Sequence, residues 1–282
     1  MQKSKEQELD RNGLEKQCLE VRRLIVKSVY EAGSGHPGGS LSGVELLTTL
    51  FENFLKFDPK NPKSDSRDYF VLSKGHCAPL LYSIMAFKGY FPVEELKTLR
   101  KLGSRLQGHP DALKLPGIEV STGSLGQGFG VAAGIALSLK IDKKVNKVYA
   151  LLGDGELQEG TVWETAMAAS HFKLDNFCAV IDSNKFQIDG SVETVMGVEP
   201  IKQKFESFGW ECVQINGHDL KQVDEAYQAF LSHKSGKPFL IVADTLKGKG
   251  VSFMENTEKF HGKAPSPEEF EKAMIELGEK AL

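Results

Sequence analysis

The sequence predicts an α/β protein, a mainly parallel sheet flanked by helices on both faces. Three observations predict it. Short apolar segments alternate with amphipathic helical ones along most of the chain, the pattern of parallel strands joined by crossover helices. The apolar segments, of which Phe239-Leu240-Ile241-Val242-Ala243 is the clearest, lack the period-two alternation of a half-exposed strand, so both faces are expected to be covered. Glycine supplies 28 of 282 residues, about 10% against an average of ~7%, and it clusters in loops where backbone must approach something closely.

Each element follows in order. From Glu6 to Ala32, residues Leu9, Leu14, Cys18, Val21, Ile25 and Val29 recur at spacings of three to five, which predicts one long amphipathic helix ending in Gly33-Ser34-Gly35. Ser42 to Phe54 has helical periodicity, with Ser42 as N-cap and Glu45 completing a capping box. A loop from Asp58 to Arg67 precedes a short strand at Tyr69 to Leu72, a glycine-histidine turn and a helix from Pro79 to Lys88. The order then repeats as strand Lys147 to Leu152, turn Gly153-Asp154-Gly155, helix Thr161 to His171 and strand Phe177 to Asp182. Helix Ile201 to Phe208, strand Glu211 to Ile215, helix Leu220 to His233 and strand Pro238 to Asp244 complete the alternation, and a last helix spans Glu268 to Leu277. No internal repeat or interdomain linker is evident, so residues 1–282 read as a single domain.

Composition removes several classes of function. With 35 basic and 38 acidic residues and a net charge of -3, the chain lacks the clustered basic excess of a nucleic-acid-binding surface. Cys18, Cys77, Cys178 and Cys212 stand far apart, which suggests neither a disulfide framework nor a zinc site and fits a reducing cytoplasm. The polar first twenty residues are no secretory signal, and no run of ~20 apolar residues could span a bilayer.

In open parallel sheets, ligands bind beyond the carboxyl ends of the strands. Gly153-Asp154-Gly155 follows such a strand, and its glycines let the backbone approach a diphosphate favoured by the next helix N-terminus. Asp154 is then free to hold a metal, and Asn184, closing the following strand, offers an amide oxygen beside a backbone carbonyl. Magnesium, or calcium in its place, takes such oxygen ligands and is usually shared with phosphates. A Gly-Asp-Gly turn alone is usually an ordinary strand-to-helix turn; Asn184 at this distance makes it a specific signal.

Here the chain resembles the thiamin-diphosphate enzymes, and among them the transketolases. Gly153-Asp154-Gly155-Glu156-Leu157-Gln158-Glu159-Gly160 with the later Asn184 looks like that family's metal-diphosphate motif. Ser34-Gly35-His36-Pro37-Gly38-Gly39-Ser40, Lys74-Gly75-His76, Gln107-Gly108-His109-Pro110, Ser121-Thr122-Gly123-Ser124-Leu125-Gly126-Gln127-Gly128 and Phe260-His261-Gly262 match further motifs in the expected order. The likeness runs from about residue 15 to 265 and implies the diphosphate-binding module of the thiamin-diphosphate fold. The family's pyrimidine-binding and C-terminal domains have no counterpart here and are expected on a partner chain, in a heterotetramer of two copies of each.

The resemblance implies a role for each matching residue. Asp154, Asn184 and the main-chain oxygen of Phe186 become metal ligands. His76, Gly155 and Lys247 resemble the contacts of the diphosphate arm, and Gly123, Ser124 and Leu125 the loop touching the cofactor rings. His36, His109 and His261 look like the histidines that hydrogen-bond the donor sugar and move protons, with His261 also near the cofactor, and Glu159 like a carboxylate that meets the partner's catalytic glutamate. Ser183 departs from the Asn or Asp that many relatives carry before Asn184, while the ligand itself is retained. The implied function is transfer of a two-carbon ketol unit from a ketose phosphate to an aldose acceptor, as in the pentose phosphate pathway, with the partner chain. A specialised sugar or sulfosugar transketolase, a deoxyxylulose phosphate synthase-like enzyme and a non-catalytic cofactor-binding module are the alternatives. His171, His218 and His233 sit in or beside helices and receive no role beyond packing, capping or solvent contact. Cys77 reads as a small filler, and Lys247-Gly248-Lys249-Gly250 equally as a phosphate loop or a solvated turn.

Overall fold

The computed structural model describes residues 11–279. Helix α1 (Arg11–Ala32) is followed by two short helices, α2 (Pro37–Ser42) and α3 (Val44–Thr49), which runs on into a wide π turn at Leu50–Phe54. Strand β1 (Tyr69–Leu72) leads through a tight turn into α4 (Ala78–Phe87), and α5 (Gln127–Ile141) precedes β2 (Val148–Gly153). Then come α6 (Gly160–His171), β3 (Phe177–Ser183), a hairpin of β4 (Phe186–Gln187) and β5 (Gly190–Ser191), α7 (Val192–Met196), α8 (Ile201–Ser207), β6 (Glu211–Asn216), α9 (Leu220–Ser232), β7 (Phe239–Asp244) and α10 (Pro267–Glu276).

Five strands form one parallel sheet in the order β1-β2-β3-β7-β6. Side chains alternate across it. Tyr149, Leu151, Cys178, Val180, Phe239 and Ile241 join the core under α1, α3, α4, α9 and α10, whereas Val148, Ala150, Leu152, Phe177, Ala179 and Leu240 join the core under α5, α6 and α8. Coverage on both faces explains why these strands read as unbroken apolar runs. Each large side chain so buried contributes about 1.5–3 kcal/mol. The register has a consequence for function: Leu72 lies opposite Leu151, Gly153 opposite Asp182 and Ser183 opposite Asp244, so four strands end within about three residues of one another and the loops that follow them meet.

Several boundaries differ from expectation. Residues Glu6 to Asp10 of the first helix lie outside the described residues. Ser42 and Glu45 form no capping box: the helix starts earlier, at Pro37, and Gly43 separates α2 from α3. Both polar groups are instead bound by distant elements, the Ser42 hydroxyl donating to Asp182 at 2.5 Å and Glu45 accepting from Arg22 at 2.6 and 2.8 Å. Helix α5 has no counterpart among the expected elements, because its Gly- and Ala-rich sequence, with apolar Val131 and Ile141 on its exposed side, shows no sharp polar face. A capping box does occur at α10, between Ser266 and Glu269. Among the described residues, no helix is long and apolar enough to cross a membrane.

Candidate active site

The loops after β1, β2, β3 and β7 enclose a cleft of about 340 Å³. Of the residues singled out in the sequence, His36, His76, His109 and His261 border it, as do Gly123, Leu125, Asp154 and Gly155, and Glu159, Asn184, Phe186 and Lys247. Ser124 is exposed and does not line it. Residues as distant in sequence as His36 and His261 thus share one cavity, as a loop cluster at the ends of parallel strands requires.

The four histidines form a compact group. His36 lies 5.4 Å from His76, 6.3 Å from His109 and 5.4 Å from His261 between ring centroids, and His76 stacks on His261 at 5.1 Å. All four are held neutral at pH 7. Burial lowers His36 to about 4, with the charges of Arg100 and Lys247 adding to it, and burial with Lys247 lowers His261 to about 3. His76 is also pushed well down by burial, and His109 more mildly by burial and Arg100. Nδ1 of His36 is buried without a hydrogen-bond partner among the described residues, a costly state that a bound ligand would relieve.

Lys247 is 1% exposed, which decides between the two readings of its loop: it is no solvated turn. Its ammonium donates to Phe186 O at 3.0 Å and to Nδ1 of His261 at 2.9 Å. An ammonium only donates, so the neutral His261 ring carries its proton on Nε2. Burial lowers Lys247 to about 8.

Asp154, 2% exposed, accepts from the backbone N–H of Gly155 at 2.8 Å and of Lys185 at 2.6 Å. Burial raises its pKa to about 6, outweighing the backbone hydrogen bonds and the Lys185 charge that lower it. The Asn184 amide nitrogen donates to Asp182 at 3.0 Å, leaving its oxygen to face Phe186 N at 3.2 Å. A Cβ at Gly155 would meet the Gln187 side chain at 3.1 Å, so any larger residue there would require that side chain to shift.

Sequence reasoning missed the supports beneath this floor. Asp182, fully buried, binds Lys74, Ser42, Asn184 and Thr245, and Lys74 also donates to Gly39 O at 2.9 Å. Burial opposes charge on both members of the pair, but each keeps the other ionised. Glu156, inside the Gly-Asp-Gly motif, accepts from Ser73, from Gly126 N at 2.8 Å and from Gly153 N at 3.1 Å, tying three loops together. The signal was present, since Lys74 and Glu156 stand inside quoted motifs, but their partners are dozens of residues away. His171 and His233 lie outside the cleft. His218 braces Glu45: it accepts from Leu246 N at 2.8 Å through Nε2, so its Nδ1–H donates to Glu45 at 3.0 Å.

Comparison with known proteins decides the lineage. The family model described as transketolase, thiamine diphosphate binding domain matches residues 14–281. The chain belongs to the transketolase family. It corresponds to that family's N-terminal, cofactor-binding part, and so to a component of a transferase. It is 42% identical over 267 residues, or 95% of this chain and 94% of the relative, to an apulose-4-phosphate transketolase subunit of Phocaeicola vulgatus. The 6-deoxy-6-sulfo-D-fructose transketolase subunit SqwG of a Clostridium species is 42% identical over 272 residues, 96% of this chain and 98% of that one. Among solved structures, the transketolase of Campylobacter jejuni superposes with a TM-score of 0.90 at 38% identity, over 96% of this chain and 43% of its own. The chain therefore matches the two transketolase subunits over nearly their whole length and the Campylobacter enzyme over less than half of its own.

Proposed function

We propose that this chain is the first subunit of a two-chain transketolase, which transfers a two-carbon ketol unit from a ketose phosphate to an aldose acceptor once a partner supplies the pyrimidine-binding domain. The observation that carries this reading is the convergence of four neutral histidines, a buried lysine, Asp154 and Asn184 on one cleft. The length match to proteins named as transketolase subunits supports the division into two chains.

The residues present fit the group the family binds. Lys247 and His76 offer donors to a diphosphate, and Gly155 and Gly123 allow close approach. Among the described residues no three His, Cys, Asp or Glu side chains gather around a metal position; the set we propose needs only one, the Asp154 carboxylate, with the Asn184 amide oxygen and the Phe186 carbonyl. Three oxygens at the end of a parallel sheet suit magnesium or calcium, and a divalent cation would offset the burial that raises the Asp154 pKa.

When bound, thiamine diphosphate supplies the carbanion chemistry. The chain's part is orientation and protons. His36 and His109, both neutral, can donate to a sugar oxygen or take a proton from it, whereas His261, whose Nδ1 accepts from Lys247, is set to donate through its Nε2–H. His261 has its tautomer set by Lys247. Glu159 is exposed on the edge of the cleft, and in this reading it meets a carboxyl group of the partner. We place the complex in the cytoplasm, supported by four cysteines that are all free.

Which sugars are used is a second question. The relatives named for apulose 4-phosphate and a sulfofructose favour a specialised transketolase over one confined to the pentose phosphate pathway. The test is to coexpress the chain with the adjacent reading frame, add thiamine diphosphate and magnesium, and assay a panel of ketose phosphates and sulfosugars. Turnover by the pair and none by either chain alone is expected; a pair inactive on every donor sinks the reading.

A further inference from the structure

Lys247 reaches the cleft from a loop whose backbone is permissive. Gly248 and Gly250, on either side of Lys249, have φ of 78° and 95°, a region glycine adopts at little cost, so local preference does not fix where Lys247 points. Its surroundings decide instead. Two backbone bonds contribute, from Gly248 N to Gly38 O at 2.9 Å and from Asn256 N to Lys247 O at 3.1 Å. The rest of the hold comes from side chains. Leu246 N donates to Nε2 of His218 at 2.8 Å, and Lys249 O accepts from Nε of Arg22 at 2.9 Å. These two gripped groups straddle Lys247.

Glu45 joins the two holders. It accepts from Nη2 of Arg22 at 2.6 and 2.8 Å and from Nδ1–H of His218 at 3.0 Å. Arg22 belongs to α1, Glu45 to α3 and His218 to the turn between β6 and α9, so three elements distant in sequence are tied into one charged network. None of the three borders the cleft; with Lys249 they line a second cavity, of about 640 Å³. Their side chains are 8%, 10% and 15% exposed for Arg22, Glu45 and His218, so water has little access to loosen the network. Buried charges are a costly way to satisfy one N–H and one C=O. What they add here is a fixed place for the residue between those groups.

We propose that Arg22, Glu45 and His218 are positioning residues for Lys247. By holding the backbone on both sides of it they aim its ammonium at Phe186 O and at Nδ1 of His261, and so set the His261 tautomer and the affinity for the cofactor diphosphate from outside the cleft. Only the effect on the cofactor rests on the transketolase reading.

Two substitutions separate the loop from Glu45. H218N keeps a donor near Glu45, in the place of Nδ1, but is too short to reach Leu246 N; H218Q puts an acceptor near the place of Nε2 and gives up the link to Glu45. Nitrogen NMR of the full-length chain labelled in histidine, without cofactor, reads the hydrogen bond from Lys247 at Nδ1 of His261, and K247M gives the position of that resonance when the bond is absent. H218N is expected to move the resonance toward its K247M position and, in calorimetry with magnesium, to weaken thiamine diphosphate binding about 3- to 10-fold. H218Q is expected to leave both close to wild type. A resonance unmoved in H218N, or moved as far in H218Q, overturns the proposal; a fall in urea midpoint with neither cleft readout changed does so too, and makes His218 a structural residue alone. Should H218N fail to fold, R22K takes its place, since it keeps a cation against Glu45 and loses the bond to Lys249 O; the same resonance shift is expected, and its absence overturns the proposal. A wild-type chain that binds no thiamine diphosphate would sink the functional reading, while the His261 resonance still decides the positioning role.

Discussion

Glu45 shows how much a single residue can hide from sequence reasoning. Expected as a helix-capping partner of Ser42, it is instead buried between Arg22 and His218. Burial works to raise its pKa, yet Arg22 and the His218 hydrogen bond win and hold it below the usual carboxylate value. A carboxyl with a depressed folded-state pKa gives stability that is present above its unfolded value and lost as pH falls through the folded one. Glu45→Gln, which leaves Arg22 buried and poorly paired, should cost about 3–5 kcal/mol at pH 7. In urea unfolding, its gap to the wild type should narrow below about pH 4.5, near the unfolded glutamate pKa. Lys247 makes the complementary case in the cleft. Lys247→Met removes the donor to Phe186 O and His261, and calorimetry should show thiamine diphosphate binding weakened by about tenfold or more. That lysine was legible as a candidate because a basic residue in a glycine-rich loop is a recognisable pattern; its burial was not.

At the scale of elements, the strands were the most legible because they are short, apolar and bounded by glycine. Helix α5 was the least legible, since glycine and alanine give it little amphipathic contrast and its identity depends on what packs against it. Two of its glycines separate these causes. A Cβ at Gly128 would come within 2.8 Å of the Ser73 backbone, whereas nothing lies within 4 Å of one at Gly134. Gly128→Ala should therefore destabilise by about 1–3 kcal/mol through overpacking. Gly134→Ala, on the exposed side of the same helix, should stabilise by about 0.5–1 kcal/mol through reduced chain entropy. Thermal melts of the two variants check the contrast; equal shifts would mean that α5 does not press against β1 as described.

For the whole molecule, the cleft is open on the side where Glu159 and Ile188 are exposed, the side that the proposed partner chain would complete. Mixing the two subunits with cofactor should give a species holding two copies of each in analytical ultracentrifugation, as closed two-fold assemblies of obligate subunits do. A chain that stays monomeric in that mixture would count against the assembly. The sequence by itself determined the alternation of strands and helices, the double-sided burial of the sheet and the residue types at each strand end, because hydrophobic period and turn chemistry are local properties of the chain. Only the tertiary structure decided that Asp182 and Lys74 underlie the cleft and that Glu156 binds three loops. Those facts depend on the register of parallel strands dozens of residues apart, and no local pattern encodes which distant partner will neutralise a buried charge.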